Sequence, residues 1–97
     1  MKAVYVVYNQ VLSDTVLKML DNLDIRGFSL WENVQGRGTH NGEPHMGSHT
    51  WPAMNGAVLS VVEAEKVPVL LNAVTEINQK SELQGIRAFV WNIEATV

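Results

Sequence analysis

The chain has 97 residues and no cysteine, which is typical of one small domain and excludes a disulfide framework. Apolar residues make up 46% of the sequence and charged residues 18%, and a net charge of −3 gives no electrostatic reason to expect a nucleic acid or an anionic membrane as partner. The apolar run at the N-terminus is too short for a signal peptide, and no segment approaches the roughly 18 apolar residues of a membrane span. We therefore expect a cytoplasmic protein with one domain over residues 1–97 and no insertion into a membrane.

The N-terminal segment predicts a strand followed by a helix. β-Branched and aromatic residues over residues 2–8 make both faces of this strand apolar, which is typical of a central strand. Ser13 is the expected N-cap of the helix, whose apolar stripe ends near residues 23–25. We expect Gly27 to supply the turn beyond it.

Two further strand-like segments, residues 28–35 and 57–62, flank a long polar segment. In the first of them, Phe28, Leu30 and Val34 are expected to share one face. The two strands are therefore predicted to be the arms of a long hairpin whose tip is the intervening loop.

A second amphipathic helix and a last strand complete the chain. Apolar residues recur at helical spacing through about residue 79, with Pro68 in the first turn, and residues 86–93 predict the fourth strand. The order β-α-β-β-α-β predicts an α+β, ferredoxin-like sandwich, with a four-stranded antiparallel sheet and two helices on one face. Because two helices cover only one face, Trp31, Phe89 and Trp91 leave a second apolar face, which we expect copies of the chain to bury in a closed ring.

The loop over residues 36–56 contains all three histidines, and it is longer than the roughly 12–15 residues that structureless loops in small domains usually reach. His40, Glu43, His45 and His49 lie close together in the sequence, and imidazole together with carboxylate suits zinc, copper, nickel or cobalt. Their spacing matches no closed structural zinc pattern. Two interpretations stay open: a divalent-metal site, or a disordered insertion whose polar residues only keep it solvated.

Two large apolar residues of the same loop, Met46 and Trp51, are costly to leave in water. Gly42, Pro44 and Gly47 interrupt the loop and allow its backbone to fold back on itself. We therefore expect the loop to close onto another molecule, and we assign Met46 and Trp51 to contact with a partner.

Three short motifs resemble the PII-type signal-transduction family and its PII-like relatives. They are GF at residues 27–28, VQGRG at residues 34–38 and RAFV at residues 87–90. The family pattern reads roughly G-F-T, then V-x-G-x-G-R at the start of the loop, then G-K-I-F-V in the last strand. Because the chain length and the order of elements match as well, the chain is identified as a divergent, PII-like member of the nitrogen regulatory protein PII superfamily.

The resemblance implies a homotrimer with inward-facing sheets and a cleft between subunits where family members commonly bind an adenine nucleotide. Gly36, Arg37 and Gly38 fall on the glycine-rich segment that approaches the phosphates, and Arg87 falls where the family keeps a basic phosphate contact. Glycine N–H groups and a guanidinium are both suited to bind phosphate. The alternative is that the glycines only set a bulge and that Arg87 is an ordinary strand residue.

The favoured functional hypothesis is a non-enzymatic regulator that senses an adenine nucleotide, a divalent metal or both, and that controls a partner such as a membrane transporter or a metal-efflux system. The alternative is a metal-binding or metal-tolerance protein that uses the histidine-rich loop without a nucleotide or a partner. A metal-dependent enzyme with a loop histidine as base is less favoured, because no third orienting carboxylate has an obvious place.

Overall fold

A computed structural model describes residues 1–38, 40–48, 53–81 and 84–97. The elements, in chain order, are β1 (Lys2–Asn9), a 3-10 turn (Gln10–Leu12), α1 (Ser13–Asn22), β2 (Ser29–Val34), β3 (Asn55–Val62), α2 (Lys66–Lys80) and β4 (Ile86–Asn92). The strands form one sheet in the order β2-β3-β1-β4, and each neighbouring pair is antiparallel. The predicted ferredoxin-like arrangement is therefore confirmed, and so is the pairing of β2 with β3 as the arms of a hairpin.

The hydrophobic core lies between one face of the sheet and the two helices. Alternate residues of β1, namely Val4, Val6 and Tyr8, are at most 1% exposed and pack in one cluster with helix residues. Leu20 of α1 and Leu70 of α2 meet them there, also at most 1% exposed. The alternate, inward-facing side chains of β1 and the apolar stripes of the two helices therefore pack in the same layer.

The opposite face of the sheet is also apolar, and neither helix covers it. We call it the open sheet face. Strand pairing places Tyr5 of β1 between Phe89 of β4 and Leu59 of β3. Nearby side chains stay about half exposed in the single chain, and these are Trp31 (47%), Val61 (44%), Phe89 (46%) and Trp91 (49%). The expectation of a second apolar face is confirmed.

No helix within the described ranges is long and apolar enough to cross a membrane.

The start of α1 differs from the prediction that Ser13 is its N-cap. The chain leaves β1 through the 3-10 turn, which Asn9 caps, because its side-chain Oδ1 accepts a hydrogen bond from the N–H of Val11 at 3.1 Å. The N-cap position of α1 itself is Leu12, which makes no side-chain capping bond. Ser13 is instead the first residue inside α1. Serine is a good N-cap, but the 3-10 turn runs directly into α1, so Ser13 lies one residue past the N-cap position.

The end of α1 also differs from the prediction. The left-handed conformation that closes the helix is adopted by Asp24, with φ of 56°, whereas Gly27 has no such conformation. Backbone hydrogen bonds from Leu23 to Met19 and from Ile25 to Leu20 complete the turn. Aspartate tolerates this region of backbone space better than most residues, so a glycine is not required.

A β-bulge in β2 makes the predicted grouping of Phe28, Leu30 and Val34 wrong. Trp31 pairs with Ala57 and Val34 pairs with Asn55, so β2 has one extra residue between these pairs. Asn33, at φ of 58°, lies in the bulge. The extra residue moves Val34 to the face that carries Trp31, because side chains alternate with a period of two.

Replacing Tyr8 by phenylalanine should leave stability unchanged or raise it by up to about 1 kcal/mol. The phenol oxygen is buried and forms no well-aligned hydrogen bond with the described residues, although the Ser13 hydroxyl lies near it, so the substitution removes a buried polar group at little cost in hydrogen bonding. Burial raises the pKa of Tyr8 above its ordinary value of 10.0; the nearby Ser13 hydroxyl acts against this rise, and the charge of Glu32 adds to it.

Because the folded state holds the phenol proton more tightly than the unfolded chain does, the wild type should lose stability as the pH rises from 10.0 through the raised pKa. Tyr8→Phe should lack this loss. Urea unfolding of both proteins at pH 8 and above pH 10 measures the difference. A destabilised variant at pH 8 would show that the hydroxyl has a partner after all.

Candidate functional site at the loop base

Two segments of the loop between β2 and β3 are joined by hydrogen bonds close to the end of β2, and we call them the loop base (residues 35–38 and 45–47). Gly36 and His45 exchange both backbone hydrogen bonds: the Gly36 N–H donates to the His45 carbonyl at 2.8 Å, and the His45 N–H donates to the Gly36 carbonyl at 2.5 Å. The Gln35 side-chain amide donates to the Met46 carbonyl at 2.7 Å. Residues 35 and 36, which follow β2, are therefore joined to residues 45 and 46 inside the loop, before β3 begins.

The returning arm of the loop depends on one glycine. Gly47 has φ of +66°, and a Cβ at this position would overlap the sulfur of Met54. The Gly47 N–H donates to the carbonyl of Ala53 at 3.0 Å. A residue with a side chain would meet both backbone strain and a steric clash here.

His45 is also held to the sheet through its side chain. Its Nδ1 lies 2.5 Å from Oδ1 of Asn55, the first residue of β3, which is 8% exposed. A hydrogen bond to Oδ1, which can only accept, requires the proton on Nδ1, and in that neutral tautomer the lone pair of the imidazole lies on Nε2. Asn55 also lies against the other arm, since a Cβ on Gly36 would be 3.1 Å from its Nδ2.

Arg87 reaches the loop base from β4. It pairs with Val7 in the sheet, and its Nη1 donates to the Gly38 carbonyl at 3.4 Å. Its guanidinium carbon is 5.4 Å from the centroid of the Phe89 ring, which is within the range of a cation–π contact. The structure thus brings together Gly38 and Arg87, two of the four residues predicted for the nucleotide site.

The other two predicted nucleotide residues lie in the same arm. Gly36 is in the bridge to His45, and the Arg37 side chain next to it is exposed. All four residues therefore lie at or against the loop base, although β4 and β2 are at opposite edges of the sheet.

The structure does not bring the described candidate metal ligands together. His40 and Glu43 are exposed, whereas His45 is partly buried against Asn55. Across residues 1–38, 40–48, 53–81 and 84–97, no group of three histidine, aspartate or glutamate side chains could hold a metal ion. His49 lies outside the described residues, so the four-residue metal site stays a prediction.

Of the two residues assigned to partner contact, Met46 is 39% exposed at the loop base. Trp51 lies outside the described residues.

Sequence reasoning missed Asn55 and its partner across the sheet, Asn9. Their backbones pair in the β1–β3 register, and both side chains are at most 9% exposed. An asparagine at the end of an apolar strand is the available signal, because a buried amide needs hydrogen-bond partners. That signal indicates a polar contact but does not identify His45 as the other partner.

Comparison with solved structures places the fold among PII-like proteins. CPII from Thiomonas intermedia K12, in a structure bound to ADP, AMP and bicarbonate, superposes with a TM-score of 0.74 at 18% identity, covering 99% of this chain and 92% of that one. The same protein bound to ADP and bicarbonate gives a TM-score of 0.75 at 20% identity, covering 95% and 84%. A PII-like signaling protein from Thermus thermophilus gives 0.68 at 20% identity, covering 95% and 85%. At these identities the likeness shows the fold.

A comparison with curated proteins found no matching sequence. The family model for nitrogen regulatory protein P-II matches residues 1–97, the whole of the sequence given. This match agrees with the resemblance of residues 27–28, 34–38 and 87–90 to the family pattern. The chain therefore belongs to the nitrogen regulatory protein P-II family, of which it is a divergent, PII-like member.

Proposed function

We propose that this chain is a non-enzymatic, cytoplasmic regulator that binds an adenine nucleotide at the loop base and thereby changes how the loop engages a partner protein. The observation that carries the proposal is the contact between Arg87 and the Gly38 carbonyl, which brings a guanidinium from β4 to the glycine-rich arm of the loop. Family membership supports a regulatory role, as does the arrangement of the loop at one end of the sheet.

The chemistry of the loop base suits a phosphate. Glycines allow backbone N–H groups to face an anion closely, and arginine binds phosphate oxygens in a fork. Gly36, Arg37 and Gly38 would provide the backbone contacts, and Arg87 would provide the charge. The CPII structures with which this chain superposes are described as bound to ADP and AMP, which makes these nucleotides the first ligands to test.

The proposed assembly is a homotrimer in which the open sheet faces pack against one another. Trp31, Phe89 and Trp91 are each nearly half exposed on this face in the single chain. Each Å² of apolar surface that assembly removes from water stabilises the trimer by about 25 cal/mol. A closed ring buries one such face from every subunit. The effector cleft would then lie between neighbouring subunits, next to the loop base.

The proposed partner contacts the loop, and a membrane transporter or an efflux pump is the kind of partner we favour. Met46, which is 39% exposed at the loop base, is available for such a contact, and Trp51 is proposed with it on the sequence alone. For the nucleotide to act as a signal, it must bind one loop conformation more tightly than another, and a coupling of about 1–3 kcal/mol suffices.

A divalent metal is the second candidate effector. The hydrogen bond from His45 Nδ1 to Asn55 supports it, because metal-binding imidazoles usually donate their other ring N–H to an oxygen in this way. His40, Glu43 and His49 are the other proposed ligands. Zn²⁺, Ni²⁺, Co²⁺ or Cu²⁺ binding that is lost in the His40→Ala/His45→Ala double variant would support a metal-sensing or metal-tolerance role.

The experiment that tests the nucleotide proposal is calorimetric titration of the purified protein with ADP, AMP and ATP. We expect Arg87→Ala to weaken binding about 10- to 100-fold, because a charge-assisted contact to phosphate is lost. Arg26→Ala is the matched control, since Arg26 lies in an exposed ion pair with Asp24. Wild-type protein that binds none of the three nucleotides, or Arg87→Ala protein that binds as tightly as the wild type, would overturn the proposal.

A further inference from the structure

The backbone donor of Gly36 is already in use in this structure. Its N–H points across the loop base and donates to the His45 carbonyl at 2.8 Å. An N–H group that is bonded to a carbonyl cannot also face a phosphate. Arg87 is engaged in a similar way, since one of its N–H groups donates to the Gly38 carbonyl at 3.4 Å.

The bridge between Gly36 and His45 is isolated from the strands, so backbone pairing in the sheet does not extend to it. Besides Arg87, which reaches Gly38 from β4, Asn55 ties the loop base to the sheet. Asn55 is the first residue of β3 and is paired on both sides, with Asn9 of β1 and with Val34 of β2. Its position is therefore set by three strands rather than by the loop.

Asn55 is hydrogen-bonded to one arm of the bridge and lies close to the other. Its Oδ1 accepts from His45 Nδ1 at 2.5 Å, and its Nδ2 lies 3.1 Å from where a Cβ of Gly36 would be. The Asn55 side chain is buried in the closed form, so its Oδ1 is paired with His45 rather than with water. This favours the closed form of the loop base.

We infer that Asn55 is a positioning residue which, through His45, holds the loop base closed in competition with the effector. This inference rests on the proposed function where it concerns the nucleotide. In the closed form, Gly36 satisfies its N–H internally, so a phosphate binds only after the bridge to His45 has opened. Because only molecules with an open loop base can bind nucleotide, the molecules in the closed form lower the apparent affinity. Nucleotide binding in turn shifts the protein to the open form and releases the loop.

The test compares Asn55→Ala with the wild type by amide hydrogen exchange and by ADP titration. Asn55→Ala should accelerate exchange of the Gly36 and His45 amides and should tighten ADP binding about 2- to 10-fold, which is the effect of removing one hydrogen bond from the closed state. A gain in affinity separates this role from damage to the fold, which would weaken binding. Circular dichroism and thermal unfolding check that the variant folds.

Two further variants make the test specific. Asn9→Ala removes the buried amide that faces Asn55 in the sheet and that bonds to Gln84 and Val11 rather than to the loop, so the two loop amides should exchange as in the wild type. Asn55→Asp keeps an oxygen that accepts from His45, so it should restore slow exchange. This variant is read by exchange alone, because its added charge also repels phosphate.

The inference is overturned if Asn55→Ala leaves exchange at Gly36 and His45 unchanged, or if it speeds exchange while ADP binding weakens. Failure of the proposed function gives a different result: the wild type then binds no ADP. In that case the exchange comparison still decides whether Asn55 holds the loop base closed.

Discussion

Val61→Asp should reduce the assembly to single subunits, whereas the same substitution at Val69 should leave it intact. The two valines are almost equally exposed in the single chain, at 44% and 47%. Val61 lies on the open sheet face, opposite Ala3 of β1, and Val69 lies on the outside of α2. In the proposed trimer, Val61→Asp would bury an unpaired carboxylate in every subunit, and each such charge costs several kcal/mol.

Light scattering coupled to gel filtration measures this difference directly. The wild type and Val69→Asp should have a mass three times that of the chain, and Val61→Asp should have the mass of one chain. Val61→Asp should also bind ADP far more weakly, because the proposed cleft lies between subunits. A wild type that is already monomeric, or a Val61→Asp variant that stays trimeric, would contradict the proposed assembly through the open sheet face.

Gly56→Ala should lower the free energy of unfolding by about 1–3 kcal/mol, which is the usual cost of inserting a methyl group into a packed core. A Cβ on Gly56 would lie 2.7 Å from Cε2 of Tyr8 and 3.0 Å from its Cζ and Oη. Tyr8 is 1% exposed and is enclosed by the core cluster, so its ring has little room to move away. The absence of a side chain at Gly56 is therefore what allows Tyr8 to lie flat over β3.

Gly27→Ala is the matched control for this substitution. A Cβ on Gly27 would meet nothing within 4 Å, and its backbone does not need a glycine. Thermal unfolding of both variants at equal protein concentration measures the difference. The Tm of Gly56→Ala should fall by about 4–8 °C for each kcal/mol of lost unfolding free energy, and the Tm of Gly27→Ala should change little. Equal Tm values for the two variants would mean that the Tyr8 ring can shift at small cost.

The order of the helices and strands could be predicted because each element has a hydrophobic periodicity that is visible in its own stretch of sequence. Residues 3–8 are all apolar or aromatic, so both faces of the strand are apolar, which is the pattern of a central strand, and β1 lies between β3 and β4. The apolar stripes around Leu20 and Leu70 likewise identified both helices. These signals involve neighbours along the chain, so they do not depend on knowing the fold.

The local details that were predicted wrongly were those with two nearly equal solutions. The chain could enter α1 at Ser13 or through a 3-10 turn capped by Asn9, and it takes the second route, with the N–H of Asn9 held at the sheet by a 3.0 Å hydrogen bond to the carbonyl of Gly85. Asp24 and Gly27 can both adopt a left-handed conformation, and the nearer residue took it. The bulge at Asn33 is a property of strand pairing, which a period of two along one strand does not reveal.

By itself, therefore, the sequence determined the two helices, the four strands and, through a family resemblance, the four residues proposed to bind an effector. Only the tertiary structure decided how the loop base is held, because Asn55, His45 and Gly36 meet through a hairpin closure, and Arg87 reaches Gly38 across 49 residues of chain. Periodicity reports which face of an element is buried, since burial depends on the side chain itself. Periodicity does not indicate which polar groups form hydrogen bonds with each other. A hydrogen bond depends on atomic positions to within a few tenths of an ångström, and the packing of the whole sheet sets those positions.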